Sequence, residues 1–130
     1  MTPLSYLLLK RSNDNGIENI LIMIDAQGKL ASSNKKESES AIENHKKWID
    51  FALSLGCETL RLNLSGENDL DKWTANSVES LTKLSNYNKN INIVVETEAI
   101  WWVDHICKDD EFKEYASQNN NVENSFKKTF

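Results

Sequence analysis

The sequence predicts an α/β fold in which helices pack on a parallel β-sheet. Short apolar runs with strand character lie at residues 19–25, 58–64 and 91–96. Between them, residues 40–55 and 70–86 carry apolar side chains at helical spacing. A helix feeding a short apolar strand, repeated along the chain, is typical of parallel sheets. With 130 residues the chain has room for one ordinary domain around a single core.

The first elements are a helix and a strand. Residues 4–15 place Leu4, Leu7 and Leu8 on one side of a helix, with Arg11 beside them, and Gly16 follows as a stop. The continuous apolar run at 19–25 predicts a strand that is covered on both faces.

A polar stretch at 29–39 predicts an exposed loop, either functional or a surface excursion. We expect the next helix to begin at Ser40, because residues 40–43 form a capping-box pattern. Gly56 ends this helix. Its predicted apolar face comprises Ala41, Ile42, His45, Trp48, Ile49, Ala52 and Leu53.

Leucines alternate with polar residues along the second strand, at 58–64. Asp69 is placed to cap the third helix, at 70–86, and the third strand, at 91–96, ends on Glu96. The apolar positions of the third helix are Leu70, Trp73, Val78, Leu81 and Leu84. Beyond residue 98 the pattern predicts a helix near 99–115 and a frayed polar tail.

Composition excludes several classes of protein. The net charge of −5 argues against nonspecific nucleic-acid binding, which needs a basic surface. No secretory signal or membrane-length apolar run is found, so we expect a cytoplasmic protein that binds neither membranes nor nucleic acid. Cys57 and Cys107 match no metal spacing; free thiols are favoured over a disulfide or metal pair.

A polar side chain lies at the end of each predicted strand or one residue before it. Because parallel strands share one carboxyl edge, Asp25, Asn63 and Glu96 are expected to converge there, with Arg61 one layer deeper. Two carboxylates near an amide suit a divalent ion or sugar hydroxyls. Polar residues also mark the points where strands emerge into water, and that reading stays open. His45 is predicted to be packed in the core, and His105 to lie on the surface.

The sequence resembles the sugar phosphate isomerase/epimerase family, whose members are xylose isomerase-like TIM barrels. The resemblance spans about residues 6–96. Its most specific pieces are HKKW at 45–48, LGC at 55–57 and LRLN at 60–63.

The resemblance implies a (β/α)₈ barrel with a divalent metal (Mn, Mg, Co or Zn) at its mouth and a sugar or sugar phosphate substrate. By match to the family, Glu96 is a metal ligand and an acid/base group that moves a proton between adjacent carbons. Arg61 and Asn63 match positions near the substrate. Asp25 matches a strand end and is grouped with them as substrate-binding.

The resemblance stops after Glu96, where the chain reads Thr97-Glu98-Ala99. Three strands cannot close a barrel, so residues 1–98 are interpreted as a partial barrel and 99–130 as a C-terminal helix and tail. This loss of pattern suggests a truncated or frameshifted gene product.

We therefore expect an isomerase or epimerase fragment that is inactive alone. A non-catalytic α/β interaction module, self-associating through its open sheet edges, is one alternative. A hydrolase related to endonuclease IV is the other.

Overall fold

A computed structural model describes residues 2–96. The predicted α/β class is confirmed, because the three strands of this range form one parallel sheet in the order β1-β2-β3. The predicted helix and tail at 99–130, with Cys107 and His105, lie outside the described residues. The elements are α1 (Pro3–Asp14), β1 (Leu21–Met23), α2 (Lys35–Ser54), β2 (Thr59–Leu62), α3 (Leu70–Tyr87) and β3 (Asn92–Val95).

Helices α2 and α3 cover one face of the sheet, and α1 packs against α2. Leu60 and Leu62 of β2 are fully buried there and join a core cluster that includes Ile49 of α2 and Leu84 of α3. Burying each such side chain contributes roughly 1.5–3 kcal/mol to folding. This shared core joins α2, α3 and the strands as one unit.

The opposite face of the sheet is exposed. Leu21 and Met23 of β1 are 46% and 66% exposed, and Val94 of β3 is 46% exposed. The prediction that the first strand is covered on both faces is therefore wrong for the described chain. The physical reason is that the helices present apolar side chains to one face only.

Helix α1 begins as a capped turn. The Thr2 hydroxyl accepts a hydrogen bond from the Ser5 backbone N–H, the Ser5 hydroxyl bonds back to Thr2, and Pro3 stands at the first position. The predicted stripe containing Leu4 and Leu7 is exposed, at 59% and 48%. The helix instead buries Ser5, so its apolar side is not its packing side.

Helix α2 begins earlier than predicted. Its N-cap is Asn34, whose side-chain oxygen accepts from the backbone N–H of Lys36 at 3.0 Å and of Glu37 at 3.4 Å. The predicted start at Ser40 is therefore wrong, and so is the predicted length of the loop at 29–39. Polar residues 35–39 are adequate helix formers once an N-cap satisfies the first backbone donors. The predicted packing face is confirmed, since the buried residues of this helix include Ala41, Ile42, His45, Ile49 and Ala52.

Helix α3 follows its prediction at the start and in part along its face, where Trp73 and Leu84 are buried and Leu81 packs on the core. Asp69 caps it by accepting from the Lys72 backbone N–H at 2.9 Å. Leu70 and Val78, predicted to be apolar packing positions, are exposed, whereas Ser80 is buried and donates to the Leu30 carbonyl at 2.6 Å. A small hydroxyl side chain at this position allows the β1–α2 loop to pack beneath the helix.

Two predictions concern the chemical environment of the chain. Cys57 is a buried free thiol, and burial raises its pKa, which agrees with an unreactive thiol. Among residues 2–96, no helix is both long enough and apolar enough to cross a bilayer. The cytoplasmic location stays a prediction.

His45 is a packed, hydrogen-bonded histidine, as predicted. It is 2% exposed, and its Nδ1 lies 2.7 Å from the Ala41 carbonyl oxygen. A carbonyl only accepts, so Nδ1 carries the proton and donates it. Burial lowers the pKa of His45, an effect that the bond to Ala41 partly offsets. Burial therefore favours the neutral form of the ring.

This burial predicts a pH-dependent stability. The unfolded chain binds a proton at His45 near pH 6.5, above the folded pKa, so the free energy of unfolding falls as the pH falls below that value. Between pH 7.5 and pH 5.5, the free energy of unfolding falls by at most about 1.4 kcal/mol through this group. Urea unfolding at pH 5.5 and 7.5 measures it. We expect His45→Gln to abolish the difference and His105→Gln to retain it; the reverse result would contradict the prediction.

Candidate functional site at the carboxyl edge of the sheet

The ends of the three strands meet on the exposed face of the sheet. Met23, Arg61 and Val94 are register partners across the three strands and share this face. Asp25, Asn63 and Glu96 follow two residues later on their respective strands. Because side chains alternate along a strand, these three side chains lie on the same face, just beyond its last paired residues.

Arg61 connects the residues of the cluster. Its Nη2 lies 3.3 Å from Asp25 Oδ1, and its Nη1 pairs with Glu96 Oε2. Asn63 Nδ2 donates to the same Asp25 Oδ1 at 2.8 Å. The structure thus brings together all four residues that the sequence singled out. We call Asp25, Arg61, Asn63 and Glu96 the edge cluster; the roles assigned to them stay predictions.

The edge cluster is graded in depth. The side chain of Arg61 is 17% exposed, compared with 39% for Glu96 and 65% for Asp25. Arg61 Nε is buried and has no hydrogen-bond partner among the described residues. The guanidinium therefore lies deeper than the two carboxylates, which bind its Nη1 and Nη2 atoms from the more exposed side.

A tight turn positions Asp25. Ala26 adopts a left-handed conformation with φ of 55°, and the Gln27 side-chain amide donates to the Asp25 carbonyl at 3.0 Å. Sequence reasoning missed Gln27, although a polar residue in the turn directly after a strand was a visible signal. Gly28 then passes so close to α2 that a Cβ would come within 2.7 Å of the Ala41 Cβ.

A second set of contacts joins the loops that follow β1 and β2. Ala31 and Gly66 form a parallel bridge, in which the Ala31 N–H donates to the Ser65 carbonyl at 2.8 Å. From α3, Trp73 Nε1 donates to the Leu64 carbonyl at 2.9 Å and Asn76 Nδ2 to the Ala31 carbonyl at 3.1 Å. These bonds fix the chain just beyond the edge cluster. No sequence pattern indicated them.

The described residues do not by themselves fit a divalent metal. Residues 2–96 contain no group of three or more His, Cys, Asp or Glu side chains placed to hold an ion. Both carboxylates of the edge cluster are paired with Arg61, so a cation already lies between them. A metal ion would have to compete with this guanidinium and draw further ligands from elsewhere.

Neither the models of known protein families nor the curated proteins include a match to this chain. The resemblance to the sugar phosphate isomerase/epimerase family therefore rests on the residues quoted above.

Proposed function

We propose that this chain carries part of the sugar-binding mouth of a metal-dependent sugar or sugar phosphate isomerase/epimerase, built on a partial TIM barrel. The single observation that carries the proposal is the edge cluster: a guanidinium, an amide and two carboxylates from three adjacent parallel strands. Binding and catalytic groups of barrels and open α/β sheets lie at this edge.

The chemistry of the edge cluster suits a polyhydroxyl ligand. Each sugar hydroxyl donates one hydrogen bond and accepts others, so a sugar site needs both acceptors and donors. Asp25 and Glu96 supply carboxylate acceptors, while Asn63 and Arg61 supply N–H donors. The partial exposure of both carboxylates leaves them within reach of a ligand.

The architecture also favours a barrel segment. Sequential parallel strands with helices on one face only are the repeating unit of a (β/α)₈ barrel, whose other strand face lines the interior. The exposed side chains Leu21, Met23 and Val94 are the apolar type that fills such an interior. The three strands of residues 2–96 do not close a barrel, so we propose that the chain is inactive without further strands.

Within this proposal, Glu96 is the acid/base group, and Asp25, Arg61 and Asn63 contact the substrate. The family resemblance also implies a divalent metal at Glu96. Because Arg61 already pairs with that carboxylate, we assign no chemical step to a metal.

Sugar binding is testable through Asn63. In full-length protein labelled with ¹⁵N, we expect the Asn63 side-chain amide signals to move on titration with sorbitol or sorbitol 6-phosphate, with a Kd of about 1–50 mM. Asp25→Asn should weaken the response, because Asp25 holds the Asn63 amide. Asp50→Asn is the matched control, since Asp50 bonds to Tyr87 instead.

One result would overturn the proposed sugar site, and a second would contradict only the expected inactivity of this chain alone. The first is the absence of any Asn63 shift with either probe. The second is turnover: we expect no isomerisation of an aldose or ketose by this chain alone, so a rate abolished by Glu96→Gln would show a complete active site.

A second candidate is a non-catalytic α/β module that associates with itself or a partner. Two features of the described sheet favour it. One face of the sheet is apolar and exposed, and the outer strands β1 and β3 each have one unpaired edge. The Asn63 experiment discriminates the two candidates, because such a module has no reason to respond to sugars. A hydrolase of nucleic acid is disfavoured by the net charge of −5.

A further inference from the structure

Resting on the proposed function, we infer that the edge cluster selects an uncharged polyol over a phosphorylated sugar. Three independent features of residues 2–96 lead to this narrower substrate class. They are the occupied nitrogens of Arg61, the charge around it, and the capped starts of the two helices that follow β1 and β2.

The guanidinium offers a phosphate no nitrogen that is both exposed and unpaired. Arginine binds phosphate with two parallel N–H groups, offered either by its two Nη atoms or by Nε and one Nη. Here Nη1 pairs with Glu96, Nη2 pairs with Asp25, and Nε is buried out of reach of solvent. A phosphate would therefore share the Nη atoms with two carboxylates that already neutralise the guanidinium.

The surrounding charge also opposes an anion. Asp25 and Glu96 outnumber the single positive charge of Arg61, so the edge cluster carries a net charge of −1. The loops after β1 and β2 add Glu67, Asp69 and one lysine, Lys29, which lies 3.9 Å from Glu37. A phosphate dianion at this edge meets more negative than positive charge.

The helix starts at this edge are already capped. In a parallel α/β sheet, the helix after each strand begins near the carboxyl edge, where its free N–H groups commonly bind phosphate. In α2, Asn34 accepts from the first-turn N–H groups of Lys36 and Glu37. In α3, Asp69 accepts from the Lys72 N–H and adds a negative charge. Neither helix presents a bare, positive terminus.

A neutral polyol meets none of these obstacles. Its hydroxyl groups donate to the carboxylate oxygens of Asp25 and Glu96 without displacing Arg61 and without adding charge. Arg61 holds the carboxylates of Asp25 and Glu96, and Asp25 holds the Asn63 amide. These groups are therefore preorganised as partners for such hydroxyls.

The matched ligands sorbitol and sorbitol 6-phosphate test this inference, with inorganic phosphate as the probe for the anion alone. In titrations followed by the Asn63 signals at low salt, we expect sorbitol 6-phosphate to bind at least about fivefold more weakly than sorbitol. Repulsion between two like unit charges about 4 Å apart in water produces an effect of this size. Screening by 0.5 M NaCl should reduce the ratio of the two Kd values, that of sorbitol 6-phosphate to that of sorbitol. Asp25→Asn combined with Glu96→Gln should narrow it as well, and circular dichroism would verify that this variant is folded.

The outcomes separate the two proposals. If the phosphate ester binds as tightly as sorbitol or more tightly, or if inorganic phosphate saturates the Asn63 shift, the inference is wrong and the proposed sugar site stands. If neither sorbitol nor its phosphate moves Asn63, both proposals fail. A ratio that does not change with salt would also contradict the electrostatic basis of the inference.

Discussion

Replacing Gly66 with alanine is expected to lower the free energy of unfolding by about 3 kcal/mol, the upper range for single substitutions. A Cβ at this position would lie 2.3 Å from the Ala31 carbonyl carbon and 2.4 Å from the Ser32 nitrogen. Both are backbone atoms, so no flexible side chain can move aside. In addition, Gly66 has a φ of +152°, which L-residues with a side chain rarely adopt.

Gly16→Ala is the matched control for this substitution. Gly16 also has a positive φ, of +65°, but nothing lies within 4 Å of a Cβ built on it. Its replacement therefore measures backbone strain alone, which costs about 1 kcal/mol. Urea unfolding of the two variants isolates the steric part. Equal losses would mean that the Ala31–Gly66 bridge is not as close as described.

The Gly66 variant also links stability to the site. The bridge between Ala31 and Gly66 ties together the loops that leave β1 and β2, just past Asp25 and Asn63. Pushing these loops apart should disturb the 2.8 Å bond between the two side chains. The Asn63 side-chain signals would report that change directly in folded protein.

The elements that the sequence predicted best are those set by short-range chemistry. Asp69 stands directly before a run of helical spacing, and it caps α3 as expected. The start of α2 was missed because two capping signals compete. Residues 40–43 match the capping-box pattern, yet Asn34 caps the helix, since nothing in 35–39 prevents a helix from extending back to it. Local patterns name candidate caps but do not rank them.

The meeting of Asp25, Asn63 and Glu96 at one edge followed from topology alone. Once the strands are parallel, their carboxyl ends must share an edge of the sheet. Because side chains alternate between the two faces along a strand, the position of each residue then determines its face. The pairing of Arg61 with both carboxylates could not be read in the same way. It depends on the strand register that places Arg61 beside Met23 and Val94, and on the rotamer of a long side chain.

Packing between distant segments was the least predictable feature. Ser80 and Asn76 of α3 bond to the carbonyls of Leu30 and Ala31, about fifty residues away in sequence. No sequence pattern singled out either residue, whereas Leu70 and Val78, which were predicted to pack, are exposed. The predicted positions Trp73 and Leu84 are buried, so the apolar pattern holds over part of the helix, and Ser80 adds a hydrogen bond to a buried loop carbonyl.

Replacing Arg61 with methionine is expected to raise the affinity of the full chain for Mn²⁺ about tenfold or more. In the native protein Arg61 holds both Asp25 and Glu96, so a metal ion must displace a cation before it can use either carboxylate. Removing one positive charge from the edge also removes its repulsion of a divalent ion, worth roughly 2 kcal/mol at 4 Å even in water. Methionine retains part of the apolar stem that a half-buried arginine packs. Isothermal titration with MnCl₂ measures the change.

Lys83→Met is the control for the overall change in charge, because Lys83 pairs with Glu79 on the exposed surface of α3, away from the sheet edge. We expect weak Mn²⁺ binding in the native protein and in this control. Tight binding by the native protein would contradict the competition, since it would mean that Glu96 leaves Arg61 readily. An unchanged affinity in Arg61→Met would show that the two carboxylates are not metal ligands in this chain. The direction of the change therefore decides whether the guanidinium stands where the family resemblance places the metal.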